Sequence, residues 1–277
     1  MKSCRPLAER RHAGACLPAL GLLACLLVPA IAQSAVAAAL ASGPHWASVN
    51  AHRMYYEILG RGRPLLLLHG GGQSGASSFE QQLPGFARHH LVILPDQVGQ
   101  GRTPDVAGPL SYAAMLADTV SLLESLGAPR VDVVGFSDGG ILALMLAARR
   151  PELVQRVVVS GVNVTPAGFT AGSLEDLRAD PPPDASRIDG KLRELWLSSP
   201  TRAELTLDML RRVRERVLVV SGDRDVVQLE HTLQIYRALP HAELCVLPGT
   251  EHDTFGTRAQ WLDPIVLEFL DREDRSP

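Results

Sequence analysis

The chain has 277 residues, of which 46% are hydrophobic, 21% are charged and only 5% are aromatic, and its formal net charge is −3. This length and composition fit a globular protein with one large domain. The small number of aromatic residues and the lack of a Lys/Arg cluster in the sequence argue against a nucleic acid as the partner.

The N-terminal segment differs in composition from the rest of the chain. Several arginines precede an uncharged run over 17–31, and small residues with an A-x-A pattern follow it. This order is typical of a secretory signal peptide. We predict a signal peptide over 1–32 that is cleaved after Ala32 or, as the alternative, after Ala37. The mature protein would then be periplasmic or secreted and would have no membrane anchor, whereas an uncleaved anchor is the competing interpretation.

Cleavage would also change the charge and the cysteine content. The removed segment holds four basic residues and one acidic residue, so the formal charge would fall from −3 to −6. Cys4, Cys16 and Cys25 would be lost, which leaves only Cys245, in a predicted buried strand. A mature chain with one cysteine is expected to contain neither an internal disulfide nor a cysteine-based metal site.

After a spacer over 33–45, the segment over 46–277 alternates between predicted strands and predicted helices. Strands are expected at 46–59 (two strands joined near Asn50), 64–68, 91–94, 131–134, 154–160, 217–221 and 243–247. Helices are expected at 79–87, 112–126, 141–148, 231–239 and 260–270. This alternation predicts an α/β protein with a doubly wound, mostly parallel sheet, in which ligands bind at the carboxyl ends of the strands.

The segment over 162–214 interrupts this alternation with prolines, glycines and short helical pieces near 174–178 and 192–197. We interpret it as a short lid inserted in the sheet order and not as a second domain. We expect the lid to determine which substrate is accepted.

The sequence around Ser137 predicts a strand, a sharp turn and a helix. A β-branched run beginning at Val131 leads into Gly135-Phe136-Ser137-Asp138-Gly139, and apolar residues then recur at helical spacing. A G-x-S-x-G turn holds its serine in a strained backbone conformation, with glycines where the strand and the helix pass closely. An ordinary glycine-rich turn has the same pattern, so the hypothesis of a nucleophile depends on partners elsewhere in the chain.

A serine nucleophile needs a base within hydrogen-bonding distance and an acid that orients the base. His252 follows the last predicted strand, and Asp223 and Asp225 follow the strand before it. The ends of these parallel strands lie at the same edge of the sheet as Ser137. We therefore predict a Ser-Asp-His triad with Ser137 as nucleophile and His252 as base, and their positions leave both aspartates open as the acid.

Three motifs of this sequence resemble those of the α/β-hydrolase superfamily: Gly135-x-Ser137-x-Gly139, Gly222-x-x-Asp225 and Gly249-x-x-His252. The resemblance extends over about 49–270 and implies an α/β-hydrolase fold. It also implies Asp225 as the acid, since the superfamily usually carries this residue at the end of G-x-x-D. Asp223 is then interpreted as a turn-capping residue.

The sequence Gly-Phe-Ser-Asp-Gly-Gly with a short lid is most similar to the valacyclovir hydrolase-like (biphenyl hydrolase-like) group. In that group the acidic residue after the serine has been linked to a substrate amino group, which implies the same role for Asp138. The alternative is that the Asp138 carboxylate only caps the N-terminus of the following helix.

The tetrahedral intermediate of acyl transfer needs hydrogen-bond donors for its oxyanion. The backbone amide of Asp138, next to the predicted nucleophile, is one candidate. The second donor is expected from the loop His69-Gly70-Gly71-Gly72, in which we select Gly71. Glycine presents a backbone amide without a Cβ atom in the way.

The same loop also matches a different motif. The sequence Gly70-Gly71-Gly72-Gln73-Ser74-Gly75 is a literal G-x-G-x-x-G after a strand, and Asp96 ends the next strand. An NAD(P)-dependent oxidoreductase is therefore the alternative from another class. It accounts for neither Ser137 nor the late Asp/His pair, and no helix is expected to begin soon after Gly75. We interpret Asp96 and the glycines that follow it as residues that brace a loop.

Together these patterns predict a serine hydrolase that cleaves small carboxylic esters through an acyl-enzyme, with amides and lactones as further substrates. Such a triad requires no cofactor and no metal ion. A cofactor-free haloperoxidase or perhydrolase-like activity would use the same triad and is the alternative on the same fold.

Overall fold

The computed structural model describes residues 41–128, 130–198 and 204–272. The predicted signal peptide over 1–32 lies outside these residues, so its cleavage stays a prediction. Within the described ranges, no helix is both long enough and apolar enough to cross a membrane.

Eight strands form one sheet: β1 Gly43–Val49, β2 His52–Gly60, β3 Arg63–Leu68, β4 His90–Pro95, β5 Val131–Phe136, β6 Val154–Ser160, β7 Arg216–Gly222 and β8 Ala242–Leu247. Their order in space is β1-β2-β4-β3-β5-β6-β7-β8. Strand β2 is antiparallel to β1 and to β4, and the other neighbouring pairs are parallel. The mostly parallel sheet and the turn at Asn50, which has φ of 44°, are therefore confirmed.

The helices of the described residues are α1 Gly75–Phe79, α2 Leu83–Phe86, α3 Tyr112–Ser125, α4 Asp138–Arg149, α5 Ala171–Arg178, α6 Arg187–Leu197, α7 Leu207–Leu210, α8 Leu229–Ala238 and α9 Thr254–Asp271. The single helix predicted over 79–87 is two short helices, α1 and α2. Helix α9 begins well before the predicted start at 260, because the Asp253 side chain caps it by accepting a hydrogen bond from the Gly256 amide at 2.8 Å.

Neighbouring residues of the central strands point to opposite faces of the sheet and enter two hydrophobic cores. Leu66 and Leu68 of β3 enter one core, whereas Leu65 and Leu67 enter the other, which also contains Phe255 of α9. All four leucines are fully buried. A continuous apolar run is thus the expected sequence of a strand that helices cover on both faces.

Strand β8 lies at the edge of the sheet and pairs only with β7. Cys245 in β8 is half-buried, so the prediction that it lies in a buried strand is wrong. An edge strand lacks a neighbour on one side, and its side chains are covered less completely than those of a central strand.

The described residues between β6 and β7, 161–198 and 204–215, form an inserted segment that carries α5, α6 and α7. Helix α6 buries Leu192 and Leu195 in the larger core. The backbone of the segment also bonds to the loop after β7, since the Thr170 amide donates to the Val226 carbonyl at 2.8 Å. These contacts attach the inserted segment to the carboxyl edge of the sheet.

Candidate active site

Ser137 lies alone between the end of β5 and the start of α4, with φ of 52° and ψ of −115°. Only one other non-glycine residue of the described chain, Asn50, has positive φ. A backbone of this kind stores on the order of 1–3 kcal/mol of strain and needs surrounding structure to hold it. The Ser137 amide supplies part of that support by donating to the Ser160 carbonyl of β6 at 2.8 Å.

The glycines on either side of Ser137 allow β5 and α4 to approach each other. A Cβ atom on Gly135 would collide with the Gly139 backbone, and a Cβ atom on Gly139 would collide with the Leu68 backbone of β3. The Gly139 backbone belongs to α4 and the Leu68 backbone to β3, so neither can move without displacing one of these elements. The G-x-S-x-G spacing thus follows from close packing around the turn.

Replacing Gly139 by alanine should lower the free energy of unfolding by about 1–3 kcal/mol, because the added methyl group overlaps the Leu68 backbone. Urea unfolding of the purified variant would measure the change. Gly172→Ala in α5 is the matched control, since its Cβ atom would have no neighbour within 4 Å. We expect this control to be unchanged or slightly more stable, and equal destabilisation of both variants would contradict the packing explanation.

The structure brings Ser137, His252 and Asp225 together. The Ser137 Oγ atom lies 3.0 Å from Nε2 of His252, and Nδ1 of His252 lies 2.7 Å from Oδ1 of Asp225. A carboxylate can only accept hydrogen bonds, so in the neutral imidazole Nδ1 carries the proton and Nε2 is left to accept from the serine hydroxyl. Phe136 packs against the imidazole, with ring centroids 5.0 Å apart.

The two candidate acids have different environments. Asp225 is buried, and its Oδ1 atom also accepts from the Val227 amide at 3.0 Å. Asp223 instead accepts from the Thr250 amide at 3.0 Å. Hydrogen bonds from the amides of Gly249 and Thr250 hold the pKa of Asp223 below its usual value. Asp225 is therefore the acid that contacts the histidine, and Asp223 braces the turn before it.

Gly71 and Asp138, whose amides are predicted to bind the oxyanion, line the same cavity as Ser137. Neither amide donates a hydrogen bond to any other described part of the chain. The cavity has a volume of about 410 Å³, and its walls include Phe169 and Trp196 of the inserted segment. The two residues thus lie beside Ser137 at this cavity, and their role as oxyanion donors stays a prediction.

His69 holds the Gly71 loop in place, a role that the sequence reasoning did not identify. The Gln97 amide donates to Nε2 of His69 at 2.8 Å, so Nδ1 carries the proton and donates to the Gly70 carbonyl at 2.8 Å. Burial lowers the pKa of His69, which favours this neutral form. From the other side, the Gly72 amide donates to Oε1 of Gln100 at 2.7 Å.

The G-x-G-x-x-G match has a structural explanation. A helix does begin at Gly75, contrary to the expectation from the sequence, because Ser74 caps α1. The buried Asp96 carboxylate accepts from the amides of Gly75 and Arg102, each at 2.8 Å. Both carboxylate oxygens are therefore occupied by backbone donors and do not face a ribose hydroxyl. The interpretation of Asp96 as a loop-bracing residue is confirmed.

The Asp138 carboxylate makes contacts that the sequence did not predict. Its Oδ1 atom accepts from the Tyr112 hydroxyl of α3 at 2.6 Å. The indole Nε1 atom of Trp196 in α6 lies 3.0 Å from Oδ1 and 2.9 Å from Oδ2. Among the described residues, no backbone amide donates to this carboxylate, so it binds side chains from two other elements and not the N-terminus of α4.

Comparison with known proteins identifies the family. A family model for the alpha/beta hydrolase fold matches residues 63–199. A 2-hydroxy-6-oxo-2,4-heptadienoate hydrolase from Pseudomonas putida is 30% identical over 255 residues, which cover 78% of this chain and 92% of that protein. The chain belongs to the α/β-hydrolase superfamily. The resemblance inferred from the three motifs is thereby confirmed, and this α/β hydrolase is an enzyme.

Two further similarities agree with this assignment. Serine hydrolase BPHL from Mus musculus is 33% identical to this α/β hydrolase over 251 residues, which cover 80% of this chain and 84% of the mouse protein. The solved structure of a serine hydrolase from Cycloclasticus zankles, a bacterium that degrades polyaromatic hydrocarbons, has a TM-score of 0.72 and 19% identity. The match covers 83% of this chain and 98% of that chain, and it shows a shared fold.

Proposed function

We propose that this α/β hydrolase is a serine hydrolase that cleaves small carboxylic esters, and also amides or lactones, through an acyl-enzyme. The observation that carries the proposal is the hydrogen-bonded chain from Oγ of Ser137 to Nε2 of His252 (3.0 Å) and from Nδ1 to Asp225 (2.7 Å). These distances fall within the range needed for proton transfer between a nucleophile and its base.

In the first half of the reaction, Ser137 attacks the acyl carbon while His252 takes the hydroxyl proton. The buried Asp225 carboxylate stabilises the imidazolium that forms. The amides of Gly71 and Asp138 donate to the oxyanion of the tetrahedral intermediate, and each such donor typically contributes about 2.7–4 kcal/mol. When the intermediate collapses, the bond to the leaving group breaks and His252 passes its proton to that group.

In the second half, a water molecule attacks the acyl-enzyme. His252 takes a proton from the water and returns it to Oγ of Ser137 as the acyl bond breaks, which releases the carboxylic acid. The same two amides support the second oxyanion. The cycle is complete with these side chains and water, and no metal ion or cofactor takes part.

The cavity supports a small and largely apolar substrate. Its volume of about 410 Å³ is in the lower part of the range for small-molecule sites, and Phe136, Phe169, Leu177, Trp196 and Val226 contribute apolar walls. The similar proteins named above are hydrolases, which agrees with a hydrolytic reaction.

A series of p-nitrophenyl esters with increasing acyl length tests the proposal. We expect turnover of acetate and butyrate esters without added metal or cofactor, and weaker turnover of long-chain esters that exceed the cavity. Peroxide-dependent halogenation and NAD(P) binding should be measured on the same preparation. Halogenation or NAD(P) binding in the absence of any ester turnover would contradict the proposal.

We propose that the Asp138 carboxylate favours esters that carry an ammonium group. Its position at the cavity beside Ser137 places a negative charge near the bound acyl group. Asp138→Asn should lower kcat/KM for a p-nitrophenyl aminoacyl ester by about tenfold, because the charged hydrogen bond between the Asp138 carboxylate and the substrate ammonium group is lost. The uncharged acetate ester is the control and should be hydrolysed at least as fast. An equal loss for both esters would contradict this role.

A further inference from the structure

Trp196 of the inserted segment contacts both residues that we propose as oxyanion donors. Its indole Nε1 atom lies 2.9 Å and 3.0 Å from the two carboxylate oxygens of Asp138. A Cβ atom on Gly71 would lie only 2.6 Å from Cζ2 of Trp196, so the indole edge lies directly against the Gly71 backbone. One side chain outside the triad therefore lies beside both amides.

The position of Trp196 is determined by the packing of its helix. Leu192 and Leu195, on the same helix α6, are each 1% exposed and enter the larger core. The Tyr112 hydroxyl also donates to Oδ1 of Asp138, at 2.6 Å, and Tyr112 is also 1% exposed. The carboxylate thus accepts from two donors whose helices are anchored by buried side chains.

The charge of Asp138 creates a problem for the proposed reaction. A carboxylate beside the oxyanion repels the negative charge that develops in the transition state, and this repulsion is strong where water is scarce. Donors that bind the carboxylate hold it in one orientation and offset part of its charge. The indole N–H of Trp196, which binds both oxygens, has the geometry for this task.

We infer that Trp196 is a positioning residue that supports the oxyanion site by binding the Asp138 carboxylate, an inference that rests on the proposed function. The contact that carries this role is the one between the indole N–H of Trp196 and the two carboxylate oxygens of Asp138. The hydrogen bond from Trp196 to Asp138 stabilises the transition state, in which the oxyanion forms, more than it stabilises the bound ester. Loss of the indole N–H should therefore lower kcat and leave KM nearly unchanged.

The first test compares Trp196→Phe with Trp261→Phe on p-nitrophenyl acetate. The phenylalanine keeps an aromatic ring at residue 196 and removes the N–H, and we expect kcat to fall by about tenfold with KM within about twofold. Trp261 is 53% exposed and stacks on Arg258 in α9, so its variant should retain wild-type kcat. Wild-type kcat in Trp196→Phe would overturn the inference.

A second test separates action through the carboxylate from a general loss of packing. In an Asp138→Asn background the charge is absent, so adding Trp196→Phe should lower kcat by less than about twofold. The same tenfold loss in both backgrounds would overturn the inference. Tyr112→Phe removes the other donor and should reproduce the selective decrease in kcat. Circular dichroism and thermal unfolding of each variant verify that it is folded.

Fluorophosphonate labelling distinguishes failure of this inference from failure of the proposed function. Wild-type enzyme should be labelled, and folded Trp196→Phe should be labelled more slowly. A wild-type enzyme that is neither labelled nor active on esters overturns the proposed function itself. A wild-type enzyme that is labelled, together with a Trp196→Phe variant labelled at the same rate, overturns only the role of Trp196.

Discussion

Replacing Ser137 by alanine should reduce ester hydrolysis by about a millionfold in kcat, because the reaction loses its nucleophile while the rest of the site remains intact. The backbone at residue 137 keeps its hydrogen bond to the Ser160 carbonyl, so the variant should fold. Initial rates with p-nitrophenyl acetate, corrected for spontaneous hydrolysis, would measure the loss.

Ser125→Ala is a suitable control for this experiment. Ser125 lies at the end of α3, and its hydroxyl donates to the Leu122 carbonyl within the same helix. We expect this variant to hydrolyse the ester at the wild-type rate. If Ser137→Ala retained more than a small fraction of wild-type activity, Ser137 could not be the nucleophile.

Replacing Asp225 by asparagine should lower kcat by about 10⁴-fold, although the side chain keeps its shape. In the wild-type enzyme, the Asp225 carboxylate accepts a hydrogen bond from Nδ1 of His252 and so keeps a proton on that nitrogen. An asparagine carries no charge and would no longer stabilise the imidazolium, and where its NH2 group faces Nδ1 it would move that proton to Nε2 and block acceptance of the Ser137 proton. Steady-state kinetics on the same ester would measure the effect.

Asp223→Asn is the matched control, because it makes the same chemical change two positions away. The asparagine carbonyl can still accept from the Thr250 amide, so the turn before His252 should survive. We expect kcat within about threefold of the wild type, as for a surface substitution that keeps its hydrogen bond. Equal losses in the two variants would contradict the assignment of Asp225 as the orienting acid.

The sheet could be predicted from the sequence because its central strands are covered on both faces. Leu65, Leu66, Leu67 and Leu68 form an uninterrupted apolar run, and the structure buries all of them. The apolar spacing over 112–126 predicts a helix equally well, and the structure has a helix over Tyr112–Ser125 that begins after the Ser111 cap. Strong and regular patterns of this kind predict which strands and helices follow one another along the chain.

Irregular elements could not be predicted in the same way. Helix α9 contains Pro264 and a non-helical backbone at Arg258, so the helical pattern is interrupted near its start. The described residues of the lid predicted over 162–214 carry helices α5, α6 and α7, of which the sequence predicts only the first two. Helix α7 has four residues, too few to show a hydrophobic period.

In the candidate site, residues that follow a strand could be predicted from the sequence, whereas contacts between distant parts of the chain could not. Ser137, Asp225 and His252 each follow a strand, and the topology of a parallel sheet brings such positions to one edge. The choice of Asp225 over Asp223 needed the resemblance to the superfamily. Tyr112 and Trp196 contact Asp138 from distant parts of the chain, and no local pattern indicates that these side chains meet.

The most direct test of the proposed mechanism is to locate the residue that a fluorophosphonate modifies. Tandem mass spectrometry of the labelled, digested enzyme should place one phosphonyl group on Ser137. The adduct should be absent from Ser137→Ala and from enzyme unfolded before labelling. A stoichiometric adduct on any other residue, or an enzyme that hydrolyses esters without being labelled, would contradict Ser137 as the nucleophile.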